Sequence, residues 1–168
     1  ERLVALAREG NFNMLRVWGG GIFEHDAFYH ACDRLGILVT QDFLMACGTY
    51  PEADDAFIEK ISAEARAAAL RLRNHPCLVW WSGDNENAIL GDVNQPAYNG
   101  RRVALEGIAP VLAELDPGRR FLPSSPYGGV PYASAVRGTT HNTQFLDCTF
   151  AWIRERNFVD YRRYFEQY

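Results

Sequence analysis

An apolar run followed at once by a cluster of polar residues constrains the fold of this chain more than any other feature. Residues Cys77–Ser82 read CLVWWS, and the polar residues after them end in Asn85-Glu86. A short unbroken apolar run is typical of a strand that is buried on both faces, as in parallel sheets. Parallel α/β folds place their chemistry at the C-terminal ends of strands. The segment therefore predicts a buried parallel strand, with Glu86 as the leading catalytic candidate.

Hydrophobic periodicity and turn residues predict that helices and strands alternate along the chain. Asp54 or Asp55 can cap a long helix with a 3.6-residue apolar period, and Gly10 and Gly36 end two shorter helices. Pro110 must start or kink a further helix, because proline interrupts the helical hydrogen-bond ladder. The predicted helices span about 3–9, 26–35, 57–72, 105–115 and 158–168, and the predicted strands 13–18, 37–42, 77–82, 120–124 and 136–141.

Repeated βα units predict a parallel sheet, either an open doubly wound sheet or a closed (β/α)8 barrel. The turn Gly19–Gly21 lacks the GxGxxG spacing of dinucleotide sites, which weakens the doubly wound alternative. Functional-looking residues follow every predicted strand, which favours the barrel. Because a TIM barrel needs about 250 residues, we expect residues 1–168 to form a single partial barrel, about strands 2 to 6 with their helices.

Composition excludes two classes of partner. The net charge is −4 and the sequence has no basic runs, which argues against a nucleic-acid surface. No apolar stretch approaches the ~20 residues that span a bilayer, so we expect no membrane partner. Sixteen arginines accompany a single lysine, Lys60, which fits a GC-rich bacterial genome. The expected source is therefore bacterial, and the sequence does not decide between cytoplasm and periplasm.

The cysteines give no sign of a metal site. Cys32, Cys47, Cys77 and Cys148 are widely spaced, form no CxxC pair and have apolar or aromatic neighbours. They are predicted to be small buried side chains, and a zinc site shared with histidines is disfavoured. We therefore expect no metal and no cofactor.

A specific combination of short motifs runs from about residue 10 to 145. The motifs are Asn13–Glu24, Phe28-Tyr29, Cys32–Val39, Gln41–Phe43, Ala46-Cys47, Tyr50-Pro51, Arg71–Arg73, His75-Pro76, Trp81–Asn87 and Leu122–Pro126. Together they resemble the catalytic domain of glycoside hydrolase family 2, most closely its β-mannosidase branch. The resemblance implies a (β/α)8 barrel within a larger multidomain glycosidase.

The family resemblance also implies a retaining mechanism with two carboxylates about 5–5.5 Å apart. Glu86 matches the general acid/base, and the nucleophile is expected beyond Tyr168. Asn85 matches the residue that contacts the 2-hydroxyl of the sugar. The aromatic neighbours Trp80 and Trp81 predict a raised pKa for Glu86, as an acid requires. The structural alternatives are that Glu86 bonds loop amides and that Asn85 caps a loop.

Arg16 lies inside an otherwise apolar strand and therefore needs a partner. The matching family arginine lies near the nucleophile, which a guanidinium would keep ionised. Asp42 ends the next strand and is a candidate sugar contact. An equally weighted alternative pairs Asp42 with Arg16, and Glu24 is a further possible partner.

Trp18 and Trp81 offer flat faces of the kind that stack on sugars, although core packing is an equal alternative for each. Since Trp80 and Trp81 point to opposite sides of a strand, only one of them can face the barrel interior. His141 closes the last predicted strand and matches a family position near the sugar. Departures from the β-mannosidase pattern are Thr40, Asp84, Thr139, Asn142 and Thr143.

The resemblance thus implies a retaining exo-β-glycosidase that acts on a carbohydrate substrate, with a β-mannoside as the leading expectation. Other family 2 activities (β-glucosaminidase, β-galactosidase or β-glucuronidase) stay open, as does a non-catalytic carbohydrate-binding barrel. Flanking domains of the same polypeptide are expected partners, and the chain alone is expected to be inactive.

Overall fold

Four parallel strands form a single sheet in the computed structural model, which describes residues 1–90, 98–127 and 141. The strands are β1 (Met14–Val17), β2 (Leu38–Asp42), β3 (Leu78–Ser82) and β4 (Arg120–Leu122). The α-helices are α1 (Arg2–Glu9), α2 (Asp26–Leu35), α3 (Asp55–Leu72) and α4 (Ala109–Leu115). A 3₁₀ helix spans Asn87–Leu90 and a π-helix Val103–Ile108.

The strands lie side by side in chain order, β1-β2-β3-β4, and all three pairings are parallel. Each crossover between neighbouring strands contains a helix, as parallel pairing requires. The prediction of an α/β chain with a parallel sheet is therefore confirmed. All C-terminal strand ends consequently lie at one edge, where the loops after β2, β3 and β4 meet.

Local sequence explains where α2 and α3 begin and end. Gly36 follows α2 with φ +66°, a left-handed conformation that glycine adopts without steric cost. The side chain of Asp54 caps α3 by accepting from the amide of Ala56 at 2.9 Å. The predicted apolar stripe of α3 faces the core, where Ala65, Ala68 and Leu72 are buried.

Proline changes the form of the helix before β4. Instead of one α-helix over 105–115, the π-helix runs directly into α4, and Pro110 lies in the first turn of α4. Because proline has no N–H to donate, it is tolerated in a first turn and not in a helix interior. Gly107 lies close to Ile61 of α3, and its carbonyl accepts from Ser62 at 2.9 Å. The π-helix is therefore packed against α3 and hydrogen-bonded to it at Gly107.

Several expectations fall on residues that are not described. The strand predicted over 136–141, apart from His141, the helix over 158–168 and Cys148 all lie outside the described residues. Within the described ranges, no helix has the length and apolar character needed to cross a membrane.

Candidate active site

Backbone pairing continues beyond the strands and holds Asn85-Glu86 at the C-terminal edge of the sheet. Asn85 forms parallel bridges to Ala46 on one side and to Ser125 on the other. The amide of Asn85 donates to the carbonyl of Met45 at 2.9 Å, and that of Glu86 to the carbonyl of Ser125 at 2.8 Å. The loop after β3 is thus hydrogen-bonded through its backbone to the loop after β2 on one side and to the loop after β4 on the other.

Glu86 adopts φ +63°, a left-handed conformation that is uncommon for a residue with a side chain. Its side chain is 31% exposed, so the carboxylate is accessible from solvent. A strained and accessible carboxylate at the C-terminal edge of a parallel sheet is typical of a functional residue.

Arg16 and Asp42 form an ion pair beneath this carboxylate. The guanidinium meets the carboxylate through two bonds, Nη2 to Oδ2 at 2.5 Å and Nε to Oδ1 at 3.2 Å. The amide of Gly19 also donates to Asp42 Oδ2, at 3.1 Å. A Cβ at Gly19 would lie 2.4 Å from the carbonyl oxygen of Met45, so this close approach requires glycine. Of the alternatives left open for Arg16 and Asp42, the structure shows their mutual pairing.

Five side chains form a closed circuit of hydrogen bonds, which we call the Glu86 ring: Arg16, Asn85, Cys47, Glu86 and His141. One arm runs from Arg16 Nη2 to Asn85 Oδ1 (2.9 Å), from Asn85 Nδ2 to Cys47 Sγ (3.3 Å) and from Cys47 Sγ to Glu86 Oε2 (3.5 Å). The other runs from Arg16 Nη1 to His141 Nε2 (3.3 Å) and from His141 Nδ1 to Glu86 Oε1 (2.6 Å).

Arg16 sets the direction of both arms because a guanidinium can only donate. Nε2 of His141 must therefore accept, which leaves the proton on Nδ1 to be donated to Glu86. Ser125 Oγ, 2.9 Å from the same Nε2, then donates as well. Along the other arm the amide nitrogen of Asn85 donates to the thiol, and the thiol donates to Glu86. Both arms thus end as donors to one carboxylate.

This arrangement favours the ionised form of Glu86. The hydrogen bond from His141 lowers the pKa of Glu86 below its ordinary value, and the thiol of Cys47 and the charge of Arg16 act in the same direction against partial burial. In the described structure, the sequence-based prediction of a raised pKa is therefore wrong. The reason is that the hydrogen bonds from His141 and Cys47, together with the charge of Arg16, outweigh the effect of partial burial.

A second cluster, at the opposite end of β3, contains residues of the types that bind metals. His30, Asp33 and His75 place potential ligand atoms within 4.8 Å of one another. Asp33 already accepts from His75 Nδ1 at 2.6 Å and from the amide of Cys77 at 2.9 Å. With both carboxylate oxygens engaged, the cluster ties α2 to the start of β3.

Comparison with known proteins places the chain in a family. No protein-family model matches the chain. It is 41% identical over 154 residues to β-mannosidase B of Thermothelomyces thermophilus and 36% identical over 160 residues to β-mannosidase of Rattus norvegicus. These alignments cover 82% and 88% of the chain. The solved β-D-mannosidase of Dictyoglomus thermophilum matches 84% of the chain with a TM-score of 0.77 and 43% identity. The chain is a β-mannosidase-like segment of glycoside hydrolase family 2. It spans 18% of the length of each of these three relatives.

The structure of this family 2 segment brings together Arg16, Asp42, Asn85, Glu86 and His141. Asp42 is fully buried, with both carboxylate oxygens bonded to Arg16. The expectation that Asp42 contacts the sugar is therefore corrected, because its carboxylate holds Arg16 in place and presents no surface. Burial raises the pKa of Asp42, while Arg16 and the Gly19 amide oppose that effect.

The expectation that Trp81 stacks on a sugar is wrong. Trp81 is 0% exposed, stacks on Phe43 and donates from Nε1 to Asp116 at 2.8 Å. It is in register with Gln41, which accepts from Tyr29 of α2, so it lies on the face covered by the helices. Its neighbour Trp80, half-buried, therefore takes the other face. Trp18, at the end of β1, is 49% exposed and keeps a free ring surface.

Sequence reasoning missed two contributors to the candidate site. Cys32 and Cys77 are buried as predicted, but Cys47 is exposed and lies within the Glu86 ring. Asp84 is buried below the ring, where it accepts from Ser124 Oγ at 2.5 Å and from the amide of Asn87 at 3.1 Å. Burial raises the pKa of Asp84 to about 7. The position of Cys47 inside the family motif, and Asp84 in place of the expected asparagine, were the available signals.

Proposed function

We propose that the chain supplies the acid/base half of a retaining exo-β-glycosidase that hydrolyses terminal β-mannosides. The observation that carries the proposal is the accessible carboxylate of Glu86 at the C-terminal edge of a parallel sheet, bonded to His141 at 2.6 Å. The identity to β-mannosidases supports the choice of sugar. In this proposal Glu86 is the general acid/base, and residues 1–168 belong to the catalytic domain of a larger multidomain enzyme.

The proposed architecture is part of a (β/α)8 barrel. The repeating unit of such a barrel is one strand followed by one helix. The described residues contain four parallel strands in chain order, and a helical crossover joins each strand to the next. β1 and β4 each have one side without a partner among the described strands, as they would where further barrel strands continue the sheet. The relatives, which are several times longer, have room for the remaining strands.

The proposed chemistry proceeds in two displacements. The nucleophile, a second carboxylate from outside the described residues, attacks the anomeric carbon while Glu86 donates its proton to the departing glycosidic oxygen. Glu86, now ionised, then removes a proton from water, and that water displaces the nucleophile from the sugar. The two displacements return the mannose with its β configuration and restore the proton on Glu86.

The protonation state needed for the first step depends on that second carboxylate. Within the described residues, donors and a cation lower the pKa of Glu86. A negative nucleophile about 5–5.5 Å away would raise the pKa, since like charges disfavour ionisation. In the proposed mechanism, binding of a sugar also excludes water and strengthens this effect. Glu86 can then hold a proton before the first displacement and lose it afterwards.

Sugar contacts are assigned to Asn85, Arg16, Trp18 and His141. Asn85 Nδ2 gives one N–H to Cys47, and its second N–H is assigned to the sugar 2-hydroxyl. Arg16, whose side chain is one-third exposed, is assigned to the region between the nucleophile and His141. The half-exposed ring of Trp18 covers Gly20 and is assigned to an apolar sugar face.

A panel of 4-nitrophenyl β-glycosides, assayed with the full-length protein, tests the proposal. The mannoside should give the highest kcat/KM among mannoside, glucoside, galactoside, glucosaminide and glucuronide, and NMR should detect β-mannose as the first product. Preference for another sugar would overturn the mannoside assignment and keep the reaction class. Absence of turnover with every member, together with measurable sugar binding, would favour the non-catalytic barrel.

A further inference from the structure

We propose that Cys47 is a positioning residue of the acid/base site, whose thiol holds the carboxylate of Glu86 against the amide of Asn85. The inference rests on the proposed function, because it assigns a task within the same site. Cys47 lies in the loop after β2 and meets the loop after β3 through its backbone as well, since its amide donates to the carbonyl of Asn85 at 2.9 Å.

The thiol is the only link in its arm of the Glu86 ring between the proposed sugar-binding amide and the proposed acid/base. Sγ lies 3.3 Å from Asn85 Nδ2 and 3.5 Å from Glu86 Oε2, which are hydrogen-bonding distances for the large sulfur atom. Since Arg16 fixes which end of the amide faces the thiol, the S–H is left to donate to Glu86. An alanine at this position would break the arm at both contacts.

The backbone of Cys47 supports a role for its side chain. Cys47 adopts φ +47°, a left-handed conformation in which a glycine would be relaxed. A residue that keeps a side chain there bears a steric cost, and such outliers concentrate at functional sites. The side chain also contacts two members of the proposed site, which a merely tolerated cysteine need not do.

The thiol environment argues against a redox or nucleophilic role. Desolvation by the surrounding loops and the hydrogen bond to Glu86 raise the pKa of Cys47, which favours the protonated thiol. Reactive cysteines need the thiolate, and they lie in electropositive settings. A protonated thiol is a poor nucleophile, but it retains the hydrogen that it donates to Glu86.

Kinetics of two variants of the full-length enzyme test the proposal. Cys47→Ala removes the donor, and kcat/KM for a β-mannoside with a poor leaving group should fall about tenfold, as expected for loss of a hydrogen bond to a charged group. Because the donor stabilises ionised Glu86, the basic limb of the pH profile should also move to higher pH. Cys47→Ser keeps a donor and an acceptor and should recover most of the rate and the wild-type profile. An alanine variant with unchanged rate and profile would overturn the proposal.

Thiol labelling provides a readout that needs no turnover. Iodoacetamide should modify Cys47 severalfold faster in Glu86→Gln than in the wild type, because loss of the negative charge makes thiolate formation easier. Peptide mass spectrometry separates Cys47 from Cys148, and the buried Cys32 and Cys77 report any unfolding. Glu59→Gln, at an exposed position on α3, is the matched control and should leave the rate unchanged.

The two experiments separate the inference from the function on which it rests. Equal labelling of Cys47 in the wild type and in Glu86→Gln would overturn the inferred contact. A protein that hydrolyses no glycoside, yet shows faster labelling in Glu86→Gln, would overturn the proposed function and still support the placement of Cys47.

Discussion

His141 donates from Nδ1 to Oε1 of Glu86 across 2.6 Å, which is the shortest hydrogen bond in the Glu86 ring. The Arg16–Asp42 bond of 2.5 Å lies outside the ring. The two residues are 55 positions apart in the chain. Arg16 donates to the other ring nitrogen, Nε2, and so favours the tautomer of His141 that carries its proton on Nδ1. The hydrogen bond made by one imidazole nitrogen commonly decides which nitrogen is protonated. His141 is thus placed to control the charge of Glu86.

Replacing His141 should therefore change the pH dependence of the full-length enzyme. His141→Ala removes the donor that lowers the pKa of Glu86, so this pKa should rise. Because the first displacement requires protonated Glu86, the basic limb of kcat/KM against pH should move to higher pH. His25→Ala, at an exposed position before α2 with no side-chain cap hydrogen bond, serves as the control. A basic limb that stays in place in His141→Ala would contradict this account.

Replacing Glu86 should separate substrates by their leaving groups. In Glu86→Gln, kcat/KM for a poor leaving group such as an alkyl mannoside should fall by about 10²–10⁴-fold, because no proton is available. An activated dinitrophenyl mannoside needs little protonation, so its first displacement should be largely spared. Stopped-flow release of the phenolate should then show a burst, followed by slow hydrolysis. Equal losses for both substrates would rule out the acid/base assignment.

Asp84 should make the stability of the fold fall as pH rises. Its pKa is raised from 3.8 to about 7 by burial, so the folded state binds more protons than the unfolded state between these values. The contribution is fully present below about pH 4 and is lost as pH rises through 7. Asp84→Asn keeps an oxygen acceptor for Ser124 and the Asn87 amide and cannot ionise. Thermal unfolding at pH 5 and pH 8 should show a smaller difference for this variant than for the wild type, whereas Glu59→Gln should leave the difference unchanged.

Gly19 should tolerate no side chain. In Gly19→Ala the new Cβ would lie 2.4 Å from the Met45 carbonyl oxygen and 2.7 Å from that of Phe43, so the backbone must shift. That shift pulls the Gly19 amide away from Asp42 and should cost about 1–3 kcal/mol of stability. Gly118→Ala is the control, since a Cβ there would meet nothing within 4 Å. Equal melting temperatures for the two variants would contradict the close packing at Gly19.

Local sequence predicted the regular elements well because their causes are local. α2 matches its predicted bounds of 26–35, and Gly36 ends it in a left-handed conformation. The side-chain alternation also showed that only one of Trp80 and Trp81 could leave the helix-covered face. Which one does so depends on a register shift between Val39 and Thr40 where β2 meets β3. Nothing in the sequence of β3 alone encodes that shift.

The properties of the site were harder to predict because they arise from contacts distant in the chain. The pKa of Glu86 is lowered by His141, Cys47 and Arg16, all of which are distant from it in the chain. The apolar neighbours of Cys47 suggested burial, but the loop after β2 places the thiol beside Glu86. Motif resemblance found the residues, and the structure supplied their connections.

The thiol in the Glu86 ring has a consequence for how the site can change charge. Sulfur carries a hydrogen and lone pairs on one atom, so rotation about a single bond reverses it from donor to acceptor. When Glu86 is ionised, S–H points to Oε2; when Oε2 carries a proton, that O–H can point back to Sγ without movement of either heavy atom. In the proposed site, Cys47 can therefore hydrogen-bond to Glu86 in either protonation state of the carboxyl group. One fixed scaffold can therefore serve both an acid and its conjugate base, as alternating proton donation and removal demands.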